Sequence, residues 1–204
     1  MPQTDFTQEQ ETLRLLRTRG PMRSKELADA GIHYQTLSRL VEAGKITKVR
    51  RGLYQLPESP EPDDLAEAAL QVPGGVICLV SALQFHELTL QMPHKTWVAI
   101  GESAHQPKIT YPPVTFVRFG DQAFSLGIET HDVGGVDVRI FSPAKTVVDC
   151  FRYRKQVGLD VALEGLRKAI ENGKAKPGEI GDFARKLRIW TVIRPYLEAV
   201  AADG

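Results

Sequence analysis

Residues 24–56 read Ser24-Lys-Glu-Leu-Ala-Asp-Ala-Gly31, then Ile32-His-Tyr-Gln-Thr-Leu-Ser-Arg-Leu-Val-Glu-Ala-Gly44, then Lys45-Ile-Thr-Lys-Val-Arg-Arg-Gly-Leu-Tyr-Gln-Leu56. Ser24 is an N-cap residue type, Leu27 and Ala28 give a short helix its apolar side, and Gly31 can take the left-handed conformation that ends it. After a tight turn, Leu37, Leu40 and Val41 recur at the three-and-four spacing of one helix face. That spacing leaves His33, Gln35, Thr36, Ser38 and Arg39 on the other faces until Gly44 stops the helix. Beyond it, Ile46 to Val49 and Leu53 to Leu56 are short strand-like runs joined through Arg50-Arg51-Gly52, a basic hairpin that also carries Lys48.

An amphipathic helix with Leu13, Leu15 and Leu16 precedes this stretch and stops at Gly20-Pro21. Three helices followed by a basic hairpin predict a winged helix-turn-helix, and duplex DNA is the partner such a module implies. Short polar residues near the start of the second helix suit base edges in the major groove, where Gln pairs with adenine and Arg with guanine. Gln35, Thr36 and Arg39 are therefore the expected base readers, with His33 and Ser38 beside them. Arg23, Ser24, Lys25, Arg50 and Arg51 are expected to hold phosphates, and Lys48 is a further expected DNA contact. A small helical hairpin with a solvated face is the plainer reading of residues 24–44, but the preceding helix, the basic hairpin and the local charge favour DNA.

Charge is unevenly placed along the 204 residues, although the net value is only +1. Residues 1–57 hold ten basic and six acidic residues, residues 58–142 four and eleven, and residues 143–204 twelve and eight. Attraction to phosphates thus belongs to the N-terminal block, and the acidic middle is expected to turn away from the duplex. The basic C-terminal block includes Arg152, Arg154, Lys155, Arg167, Lys168, Arg185, Lys186 and Arg188, read first as the solvated face of amphipathic helices.

Pro57-Glu-Ser-Pro-Glu-Pro62 cannot continue a strand and favours extended backbone. It predicts three parts: residues 1–57 as the DNA-binding domain, 58–62 as a linker, and 63–204 as a mixed domain. In the last, helical spacing runs from Asp63 to Gln71. Val76-Ile-Cys-Leu-Val80 is a compact apolar run, and Ser81 is expected to cap a helix through Leu88. Strands are expected at Trp97 to Ile100, Val114 to Phe119, Ile128 to Val133 and Val136 to Phe141, the last two joined by Gly134-Gly135, a two-residue hairpin signal. A mostly antiparallel sheet and an α+β fold follow. Ser142 and Pro143 then open a helix with Ala144, Val147, Val148 and Phe151 as its buried stripe. Further helices are marked by Leu159 to Ile170, by Ile180 to Leu187, and by a start near Thr191 that places Pro195 in the first turn.

No signal-peptide or membrane-length apolar run occurs, so a cytosolic protein is expected. Cys78 and Cys150 lie in apolar surroundings without metal-ligand spacing and read as buried free thiols. No cofactor and no metal site are expected. Ser81, His86, His131, Lys145 and Asp149 supply the residue types of a hydrolase or nuclease. Ser81 is accounted for as a cap, Lys145 and Asp149 as an exposed ion pair four residues apart, and His86 as a hydrogen-bonded packing residue. There is no phosphate-cradling glycine loop, paired metal-binding carboxylate motif or nucleophile elbow, and an enzyme is not expected.

The segments Arg51-Gly-Leu-Tyr-Gln-Leu-Pro57, Leu79-Val-Ser-Ala-Leu-Gln-Phe-His-Glu-Leu88 and Ser142-Pro-Ala-Lys-Thr-Val-Val-Asp-Cys150, in that order, resemble the AbiEi-type antitoxins of bacterial type IV (abortive infection) toxin-antitoxin systems. The resemblance implies a transcriptional repressor that binds inverted repeats in its operon's promoter through the N-terminal domain. It also implies a C-terminal domain that counters a nucleotidyltransferase-like toxin without a stable complex. It assigns no individual antitoxic residue. A winged-helix regulator unrelated to a toxin, and an RNA- or protein-binding module, are the alternatives.

Overall fold

A computed structural model describes residues 3–59 and 63–202. Two compact units are present: residues 1–70 with 132–137, and residues 71–131 with 138–204. Pro60, Glu61 and Pro62 of the expected linker lie outside the described residues.

In the first unit, α1 (Gln3–Arg19), β1 (Met22–Arg23), α2 (Ser24–Asp29) and α3 (Tyr34–Glu42) lead into β2 (Thr47–Arg50) and β3 (Leu53–Gln55), followed by α4 (Asp64–Gln71). The strands form a sheet in the order β1-β3-β2, with both pairings antiparallel. Leu15, Leu16, Met22, Leu27, Ile32, Leu37, Leu40, Ile46, Tyr54 and Leu56 share one core. These are largely the positions the three-and-four spacing and the strand alternation mark as apolar, so burial is what fixes the helices against the sheet. Ser24 does not cap α2. Arg23 occupies that position, its backbone N–H donating to Glu26 Oε2 at 2.7 Å, while Ser24 N donates to Gly52 O at 2.8 Å. The cap moves because β1 pairs Arg23 with Leu53, which carries the extended chain up to the first helical residue.

The second unit holds β4 (Val76–Ile77), α5 (Leu79–Phe85), β5 (Thr96–Gly101), β6 (Val114–Phe119), α6 (Asp121–Ser125), β7 (Ile128–Val133), β8 (Val136–Phe141), α7 (Pro143–Arg152), α8 (Arg154–Val157), α9 (Leu159–Glu171), α10 (Pro177–Lys186) and α11 (Trp190–Ala202), apart from residues 132–137 at the β7-β8 turn, which group with the first unit. Its sheet runs β6-β5-β4-β8-β7. This sheet is mixed, not mostly antiparallel: β4 with β5 is antiparallel, but β5 with β6 and β4 with β8 are parallel. Parallel neighbours need long crossovers, and residues 102–113 and 78–135 supply them. The Gly134-Gly135 turn joins β7 to β8 with φ of +62° and +83°, the conformation of a type I′ hairpin.

Helices pack with the sheet around a core that includes Phe119, Phe141, Val147, Val148, Phe151, Leu166 and Ile180. Cys78 and Cys150 are free and buried within it. Ser142 and Pro143 open α7 as expected, Ser142 Oγ accepting from Lys145 N. Two expectations fail here. Ser81 is the third residue of α5, which starts after Cys78, and its hydroxyl instead accepts from Trp97 N at 3.0 Å. Pro195 lies inside α11, whose start is Trp190, because buried Ile193 and Leu197 favour the helix over the hydrogen bond the proline cannot make.

Candidate nucleic-acid interface

The N-terminal unit brings the predicted DNA-contacting residues to α2, α3 and the β2-β3 hairpin, but it divides them into exposed and committed groups. On α3, Gln35 and Arg39 are exposed and one turn apart, with Ser38 half-buried between them. His33, the residue before the helix, is also exposed. Lys25, Lys48 and Arg51 are exposed, and none forms an ion pair among the described residues. Arg23 and Ser24 are half-buried at the start of α2, and Arg23 Nε is buried without a hydrogen-bond partner among the described residues.

Thr36 departs from its expected place. It is 4% exposed, and its hydroxyl donates to Gln8 Oε1 of α1 at 2.8 Å; the same oxygen accepts from His33 N at 3.3 Å. Spacing explains the burial, since Thr36 stands one turn before Leu40 and beside Leu37, on the stripe that faces the core. Arg50 is also committed. Its Nε donates to Glu67 Oε2 at 2.9 Å and lies 2.7 Å from Oε1, and the Glu67 side chain is only 2% exposed. A buried carboxylate requires such a partner, so Arg50 ties the hairpin to α4.

Tyr34 is the residue that sequence reasoning passed over. It is the first residue of α3, 64% exposed, and stands one turn before Ser38. Its hydroxyl neighbours that of Tyr54, and burial, with Tyr34 beside it, pushes the Tyr54 phenol up. An aromatic at the start of a second helix was the available signal.

The residue types that suggested catalysis all lie in the second unit. Lys145 and Asp149 form an ion pair in which both side chains are 0% exposed, so the pair is in the core and not on the surface as expected. Burial raises Asp149 to about 6 against the opposing attraction of Lys145, and lowers Lys145. The Lys145 ammonium sits 4.1 Å from the Phe141 ring centre. Gly127 (φ +66°) makes room, because a Cβ there would come within 2.8 Å of Lys145 Cβ.

His86 and His131, distant in sequence, do meet, together with Glu129. One ligating atom from each of the three lies within 4.8 Å of the others. His86 Nε2 donates to the Phe141 carbonyl at 2.8 Å, and burial lowers its pKa. His131 Nε2 and Glu129 Oε2 are 3.0 Å apart. Separately, a surface pocket of about 580 Å³ is lined by Arg152, Lys186 and Arg188 together with Asp121 and Gln122. Among the other basic residues of the C-terminal block, Lys168 pairs with Glu164, and Arg185 with Asp182.

Residues 10–57 match the family model described as transcriptional regulator, AbiEi antitoxin. This is the family that the three sequence motifs indicate, and the match covers the first of them. No curated protein matches the chain. Among solved structures, the RV2827C protein from Mycobacterium tuberculosis is similar, with a TM-score of 0.54 at 13% identity over 96% of this chain and 81% of that one. At that identity the likeness is one of fold. No described helix is long and apolar enough to cross a membrane.

Proposed function

We propose that residues 1–57 are a winged helix-turn-helix that represses the chain's own operon by binding inverted repeats in promoter DNA. We further propose that the protein is the antitoxin of a type IV system directed against a nucleotidyltransferase-like toxin, acting in the cytoplasm without a stable complex. The regulator and antitoxin family matched by residues 10–57 supports both halves. The observation that carries the first is the surface of α3. It presents Gln35, Ser38 and Arg39 next to Tyr34, and exposed Lys25, Lys48 and Arg51 complete a cationic set on α2 and the hairpin.

In this reading α3 is the recognition helix and the β2-β3 hairpin is the wing. Gln35 and Arg39 read base edges, with Ser38 and His33 beside them. Lys25, Lys48 and Arg51 hold phosphates, and Tyr34 adds a hydroxyl suited to the same task. Thr36 and Arg50 act at one remove, Thr36 by fixing α3 on α1 and Arg50 by fixing the wing on α4. The test is a gel shift with DNA from upstream of the reading frame. Specific repression predicts that unlabelled upstream DNA displaces the probe far better than unrelated duplex, and equal displacement would overturn it.

The domain 63–204 is proposed to supply antitoxicity through its basic surface. The pocket of Arg152, Lys186 and Arg188 supports that assignment, as none of the three is ion-paired among the described residues. Toxin co-expression with Arg152→Glu, Lys186→Glu and Arg188→Glu combined checks it. Protection should be lost, and full protection by the triple variant would remove this surface from the mechanism.

A further inference from the structure

We propose that His86, Glu129 and His131 form a zinc-binding site in the second unit. Two elements supply the ligands. His86 closes the C-terminal end of α5, and Glu129 and His131 stand two apart on β7, so strand geometry sends both side chains to the same face. Their ligating atoms already lie within 4.8 Å of one another. Around a tetrahedral zinc at about 2.0–2.2 Å from each ligand, the ligating atoms would be roughly 3.4 Å apart. Closing the site therefore requires the ligating atoms to approach by about 1.4 Å.

The tautomer of His86 is set for the task. A backbone carbonyl can only accept, so the contact with Phe141 O places the proton on Nε2 and leaves the Nδ1 lone pair for the metal. A second ring nitrogen bonded to a main-chain carbonyl is the usual outer support of a zinc-bound histidine. The ring edge contacts of Phe85 with both imidazoles, at centroid distances of 5.2 and 4.9 Å, limit their rotation. Glu129 contributes the negative charge that a pair of neutral imidazoles lacks. Its present contact with His131 would be exchanged for two bonds to the ion. Two imidazoles and one carboxylate make a donor set suited to zinc, and the partly exposed side chains of Glu129 and His131 leave a fourth position for water. Zinc here would link the end of α5 to β7.

The experiment is zinc titration of the untagged, metal-stripped full-length protein by calorimetry, with bound zinc counted after dialysis. One zinc per chain is expected, accompanied by an upward shift in melting temperature. Glu129→Gln and His131→Ala are partly exposed positions whose variants should remain folded, and each should bind zinc at least tenfold more weakly. Cobalt substituted for zinc should give the intense visible bands of a tetrahedral site in the parent protein and lose them in His131→Ala. An absence of stoichiometric zinc, or binding unchanged in both variants, would overturn the proposal and leave Glu129 and His131 as a hydrogen-bonded pair.

Discussion

Removing one member of the buried Lys145–Asp149 pair should be among the most damaging single changes available in this chain. Both side chains are fully buried, both belong to α7, and Asp149 Oδ1 has no hydrogen-bond partner among the described residues. The pair therefore carries a large desolvation cost that its mutual attraction only partly offsets. Lys145→Met leaves a carboxylate in the core without its cation, which costs about 3–5 kcal/mol. For a chain of this size each kcal/mol moves the melting temperature by about 2–4 °C, so a drop on the order of 6–20 °C is expected. Lys145→Met combined with Asp149→Leu removes both charges at similar volume and should recover most of the loss, since the Phe119 and Phe141 rings already line the site. Thermal unfolding followed by circular dichroism at pH 7.5 is the assay. A single variant as stable as the parent, or a double variant as unstable as the single, would refute the argument that the pair is retained because neither charge can be buried without the other.

Arg51→Ala should weaken binding to all duplexes alike and flatten the dependence of log K on log salt by roughly 0.9; anisotropy titrations at several salt concentrations give the slope, and an unchanged slope places Arg51 off the backbone. Arg39→Ala should cost ~1–3 kcal/mol on the specific site and blur discrimination, which competition with single-base variants of the operator would show. Thr36→Val should lower stability by about 1 kcal/mol through the lost bond to Gln8 while leaving base preference intact, as read by denaturant melts beside the same competition assay. Burial raises Asp149 from 3.8 to about 6, so the folded state holds that proton more tightly than the unfolded chain. The associated stability is present below about pH 4 and is lost as pH rises through about 6. Relative to Asp149→Asn, the parent should lose stability across that window in pH-dependent melts.

Periodicity made much of the architecture legible. Leu37 and Leu40 mark the buried face of α3, β6, β7 and β8 fall where Val114 to Phe119, Ile128 to Val133 and Val136 to Phe141 predict them, and Ser142-Pro143 opens α7. What escaped depends on partners far away in the chain. A threonine on a helix reads as polar and exposed until Gln8 is found beneath it, and Arg50 reads as a phosphate ligand until Glu67 is found buried beside it. Lys145 and Asp149, at i and i+4, carry no sequence mark that separates a surface pair from one inside the core; only the aromatic rings brought by β6 and β8 decide it. His86 gave no ligand signal for the same reason, because Glu129 and His131 lie more than forty residues away and reach it only through the fold. Parallel pairing of β5 with β6 was hidden because alternation reports a half-buried strand and says nothing about the direction of its neighbour.

The central claim is that this chain recognises a particular DNA sequence through α3. The most direct measurement is an anisotropy titration of the full-length protein, at one fixed salt concentration, on labelled duplex from upstream of its reading frame and on a scrambled duplex of equal length. Sequence-specific binding predicts that the upstream duplex binds at least about 10³-fold more tightly and that Gln35→Ala with Arg39→Ala brings the two affinities together. Equal affinity of the unaltered protein for both duplexes would contradict the account.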